Sequence, residues 1–80
     1  MTIKELIKYA EINNLKDWID IMVGTATEME AYEKAHYINR GGIENQIDYL
    51  LKSKSIEGLE RDLRDRVEEM LEEKELENDD

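Results

Sequence analysis

Residues 55–76, SIEGLERDLRDRVEEMLEEKEL, decide the fold. Apolar side chains recur at Ile56, Leu59, Leu63, Val67, Met70 and Leu71, a period of 3.6 that puts them on one side of a helix and leaves the other sides charged. Ser55 supplies the short hydroxyl that accepts from a free N–H of the first turn, so a long helix is predicted to start there. Written as heptads from Ile56, two positions that a coiled coil keeps apolar fall on Arg66 and Glu73. A sustained coiled-coil seam therefore fails, and the stripe is expected to pack on the rest of the chain. Glu57 with Arg61, Glu60 with Arg64 and Asp62 with Arg66 stand at i,i+4 on the outer side, each pair contributing a few tenths of a kcal/mol.

Upstream, the same reading gives shorter helices. Thr2 and Glu5 have capping-box spacing ahead of Ile3, Leu6, Ile7 and Ala10, which predicts a helix from about Thr2 to Glu11. Asn13 and Asn14 interrupt it. Leu15, Trp18, Ile19 and Met22 then recur at helical spacing, with Gly24 expected to end a second helix. Thr25 with Glu28, or Thr27 with Glu30, is expected to cap a third, carrying Met29, Tyr32, Ala35 or His36, and Ile38. It is predicted to stop near Asn39, because Gly41 and Gly42 permit positive φ. Ile43, Ile47, Leu50 and Leu51 define a fourth. The chain has no proline, and its 4 glycines sit at punctuation points of helix-favouring sequence. The expected class is all-α: a small single-domain bundle of four to five helices with a long acidic C-terminal helix, spanning residues 1–76, followed by a frayed acidic tail over 77–80.

Eighty residues lie at the small end of what folds alone. With no cysteine there is no disulfide and no thiolate metal site, and the single histidine, His36, leaves little for a metal, so no cofactor or metal is expected. No leader pattern and no apolar run long enough for a span is legible, which predicts a cytoplasmic protein.

Charge is unevenly distributed. Of a net charge of −10, residues 43–80 carry −8, six basic against fourteen acidic, and residues 1–42 carry −2. From Glu68 onward stand Glu68, Glu69, Glu72, Glu73, Glu75, Glu77, Asp79 and Asp80 against Lys74 alone, where the helix dipole is already negative. A field of one sign repels nucleic acid and anionic membrane and attracts basic protein surfaces. Carboxylates at i and i+4 lie about 6 Å apart, comparable to phosphates along a strand, so a row of them can occupy a phosphate-binding groove. The opposing reading is a solvated face that keeps a small protein in solution.

Other motifs are weaker. Glu33 and His36 have the Glu-x-x-His spacing of di-iron carboxylate bundles, but one copy is half a site. Acid-x-x-acid pairs such as Glu30 with Glu33 or Glu57 with Glu60 are expected by chance at this acid content. Asn39, Arg40, Gly41 and Gly42 lack the length and the lysine of a P-loop and read as a turn between helices. A helix-turn-helix around Gly24 would present Glu28, Glu30 and Glu33 to phosphates, against only Lys34 and Arg40. Trp18 reads as a partly buried anchor, and Tyr9 and Tyr37 are the aromatic interface candidates.

No nucleophile and base, paired carboxylates in a pocket or metal set is legible, so no enzyme is expected. The expected function is protein binding: an inhibitor or regulator whose acidic face, Glu68, Glu69, Glu72, Glu73 and Glu75, occupies a basic, nucleic-acid-handling surface of a target protein, with Tyr9 and Tyr37 as anchors. Viral and mobile-element genomes encode inhibitors of this kind, an analogy rather than a deduction. The alternative is a self-associating adaptor, a homodimer paired through Leu63, Val67 and Met70 or through the tyrosine-bearing third helix.

Overall fold

Thr2 starts the first helix as its spacing predicts, its Oγ1 accepting from the N–H of Glu5 at 3.2 Å. The computed structural model describes residues 1–77, in five helices with no strand among them: α1 (Ile3–Ile12), α2 (Lys16–Thr25), α3 (Ala31–Arg40), α4 (Ile43–Leu51) and α5 (Ile56–Glu77). The tail predicted over residues 77–80 lies, from residue 78 on, outside the described residues.

The Asn13–Asn14 interruption is a built turn. Asn14 sits at φ 55, the left-handed region that asparagine tolerates better than most side chains. The N–H of Leu15 reaches the carbonyl of Ala10 at 2.9 Å and that of Asn14 reaches Glu11 at 3.2 Å, which together close α1 in a Schellman motif. Ala10 and Leu15, brought together by those bonds, are both buried, so the turn feeds the core directly.

Two predicted boundaries are corrected. Gly24 does not end α2; the helix runs through it to Thr25, because the chain turns extended only at Ala26 (ψ 140). Neither Thr25 nor Thr27 caps α3: the Thr25 hydroxyl donates back to the carbonyl of Met22 at 3.1 Å, and the N-cap residue is Glu30, without a side-chain cap bond. The third helix ends at Arg40 without positive φ. Gly41 is extended (φ −85), and its glycine is required by space, since a Cβ there would lie 2.7 Å from the carbonyl oxygen of Tyr37. Ser55 caps α5 as expected, its Oγ accepting from the N–H of Gly58 at 3.0 Å.

The core collects Leu6 and Ala10 of α1, Leu15, Ile19 and Val23 around α2, Ile47, Tyr49 and Leu50 of α4, and Leu59 and Leu63 of α5. The fourth helix touches all four others. Buried side chains at Gln46, Ile47, Tyr49 and Leu50 give it a broad inward face, so it is the hub around which the short helices pack. Gln46 donates through Nε2 to Asp20 of α2 and to the carbonyl oxygen of Tyr37 in α3, at 3.2 Å for the latter. One buried amide thus ties three helices together. No residue of α3 is buried; Tyr37 and Ile38 lean on the core from its edge.

The fifth helix is about 33 Å long at 1.5 Å per residue, and only its first two-thirds has anything to pack on. It meets α1 and α4. Leu59 and Leu63 are buried, Ile56, Val67 and Met70 partly so, and the next position on that face is the charged Lys74. Leu71, predicted to belong to the stripe, is 57% exposed. Leu76 is 76% exposed, and each residue from Leu71 to Leu76 is solvated. The described chain is accordingly elongated, 45 × 25 × 19 Å. No helix among the described residues is long and apolar enough to cross a membrane.

Candidate protein-binding surfaces

The acidic residues singled out in the sequence divide between two faces of α5. Glu69 and Glu73 lie beside Arg66, whose Nη1 is 3.3 Å from a Glu69 carboxylate oxygen and 3.9 Å from one of Glu73. Arg66 takes these partners instead of the predicted Asp62, which pairs with Lys54 at 2.6 Å. Of the three i,i+4 pairs expected, Glu60 with Arg64 closes, at 2.6 Å. Glu68, Glu72 and Glu75 point away from Arg66. With Asp65 they are spaced three, four and three residues apart, a single row along the outer face. All four are exposed, and none has an ion-pair partner within 4.0 Å among the described residues. The row covers about 15 Å of helix.

Upstream the outer face is mixed: Glu57, Arg61, Arg64 and Asp65 rim a shallow hollow with alternating charge. Past Asp65 that face holds no basic residue. The single-signed row starts on turns whose other side, Val67 and Met70, still packs on the core, and it continues onto the solvated stretch from Leu71 toward the negative end of the helix dipole, where its carboxylates raise one another's potential.

The aromatic anchors stand differently from one another. Tyr9 and Tyr37 are half-buried against the core, and Tyr37 stacks on Tyr49 with ring centroids 5.2 Å apart. Trp18 is half-buried on α2, as expected. The tyrosine most open to solvent is Tyr32 of α3, 75% exposed, which helical periodicity assigned to the inner face. The pattern was ambiguous because α3 alternates small, aromatic and polar residues with no clear stripe.

The seam of Leu63, Val67 and Met70, considered as a dimer contact, turns inward: Leu63 is fully buried in its own protomer. Glu33 and His36 flank an open hollow with Met29, Tyr32 and Tyr37, but among the described residues no three metal-ligating side chains converge. Tyr49 is a buried phenol whose hydroxyl has no hydrogen-bond partner. Burial, and then the nearby charges of Glu28 and Glu33, raise its pKa above the ordinary 10.0.

Family models, curated proteins and solved structures were each compared with the chain, and none matches it.

Proposed function

We propose that this protein works by binding another protein, presenting the outer face of its C-terminal helix to a basic surface that otherwise handles nucleic acid. The observation that carries this reading is the unpaired row Asp65, Glu68, Glu72 and Glu75 on the outer face of a helix whose inner face packs on the core only as far as Met70. Carboxylates at this spacing offer a lysine- and arginine-lined groove a succession of acceptors like that of a phosphate backbone. The helix presents them on a stiff rod, so little backbone freedom remains to be lost on binding. A cationic partner would also relieve the repulsion among acids gathered at a negative helix end. Glu69 and Glu73, already engaged by Arg66, contribute less. Leu71 and Leu76 flank the row and supply apolar contact at its margins.

The test is capture by the tagged protein from nuclease-treated lysate, in low and then high salt, with two charge-neutralised variants alongside. The reading expects a nucleic-acid-binding protein that salt releases. Glu68→Gln with Glu72→Gln and Glu75→Gln should lower its recovery about tenfold, while Glu69→Gln with Glu73→Gln changes it little. Purified, that protein should lose its oligonucleotide as this chain is added. Undiminished capture by the triple variant would overturn the proposal.

A further inference from the structure

The third helix is the anomaly of the bundle. It is as long as α1 and α2, yet buries no residue. Its exposed side chains, among them Tyr32, Ala35, His36, Asn39 and Arg40, include no carboxylate, whereas α1, α2, α4 and α5 each expose at least one. In a chain of net charge −10 this is the helix face on which a second copy meets least repulsion. Tyr32, Ala35, His36 and Asn39 are spaced three, one and three residues apart, the pattern of a helix-pairing stripe, with the small Ala35 allowing close approach.

One flank of the stripe fixes the orientation. Glu33 and Arg40 stand seven residues apart and so on the same side of the helix. In a parallel pair the two-fold axis runs along the helices and sends the two Glu33–Arg40 flanks to opposite sides of the seam, so they do not meet. An antiparallel pair related by a two-fold axis near His36 sets Glu33 against the partner's Arg40, and Arg40 against the partner's Glu33. The flank is thus self-complementary for a copy of the same helix running the other way.

We infer that α3 is a homodimer interface, two copies pairing antiparallel through Tyr32, Ala35, His36 and Asn39, with reciprocal Glu33–Arg40 ion pairs at the rim. Closed two-fold symmetry ends the assembly at two chains. Three turns of helix form a small contact, so the dimer is weak, populated at tens to hundreds of micromolar. It leaves the outer face of α5 free and is independent of the binding role proposed above.

Sedimentation equilibrium of the whole chain, from about 10 to about 500 µM at ~0.15 M salt, tests it. The wild type should pass from monomer to dimer over that range. Ala35→Glu, at an exposed position, should weaken association at least about tenfold, and so should Arg40→Glu, which places like charges at both rims. The swap of Glu33→Arg with Arg40→Glu should restore it, which a merely structural effect of either change would not do. Because the chain has no cysteine, His36→Cys gives a second readout that needs only a native fold: under mild oxidation it should form a disulfide dimer faster than Glu72→Cys. A wild type monomeric to the top of the range, a dimer indifferent to Ala35→Glu, a swap that fails to restore association, or equal cross-linking at both cysteines would each overturn the inference.

Discussion

Tyr49 and Asn14 show how single residues set local conditions that composition conceals. The Tyr49 ring fills the space between α4 and Tyr37, but its hydroxyl reaches no partner, an arrangement that costs desolvation without a compensating bond. Its pKa is raised, so the folded chain holds this proton more tightly than the unfolded one. The resulting stability is complete below pH 10.0, the ordinary value, and is lost as pH rises through the higher folded value. Tyr49→Phe should therefore flatten the alkaline arm of a stability–pH curve and leave stability at pH 7 equal or slightly higher, as thermal unfolding followed by circular dichroism would show. A fall of more than about 1 kcal/mol at pH 7 would mean that the hydroxyl is satisfied after all. Asn14 acts through its backbone. Its φ of 55 turns the chain so that Leu15 enters the core three residues after α1 ends.

At the scale of the helices, two glycines that look equivalent in the sequence have opposite roles. Gly24 lies inside α2, and a Cβ there would meet the Ile38 Cδ1 at 3.4 Å, an ordinary contact. Gly24→Ala should stabilise the fold by about 0.5 kcal/mol, the usual gain of helix propensity. A Cβ at Gly41 would lie 2.7 Å from the Tyr37 carbonyl oxygen, which also accepts from Gln46. Gly41→Ala must push the α3 backbone away and loosen this bond, lowering stability by at least about 1 kcal/mol. Chemical denaturation of the two variants would read both signs in one experiment. The existence and order of all five helices were legible from periodicity and from the Thr2 and Ser55 caps, because those signals are local. The start of α3 after Glu30 and the passage of α2 through Gly24 were not, because a threonine caps a helix, and a glycine ends one, only according to what lies opposite it.

For the whole molecule, the division between a packed body and a projecting helix end decides which apolar residues matter. Leu63 is enclosed by its own protomer. Leu63→Asp should unfold the chain, since an unpaired charge in a core this small exceeds the few kcal/mol such a domain has to lose. Leu71→Ser with Leu76→Ser should shift stability by less than about 0.5 kcal/mol, because both leucines are already solvated. Thermal melts of the two variants check this contrast, and a large loss from Leu71→Ser would show that the helix end packs on the body. The residues by themselves determined the all-α class, the long final helix and the concentration of acid in it, and bounded the helices at four to five, since each follows from short-range periodicity, capping and charge. Only the tertiary structure decided that α4 is the hub, that Gln46 is buried, and that Arg66 draws in Glu69 and Glu73 and so leaves Asp65, Glu68, Glu72 and Glu75 as the open row. It also turned Leu63 inward and left Tyr32, rather than Tyr9 or Tyr37, most open to solvent. These are outcomes of which faces meet when five short helices share one small core, and burial is a property of the neighbours a residue acquires, which its own stretch of sequence does not contain.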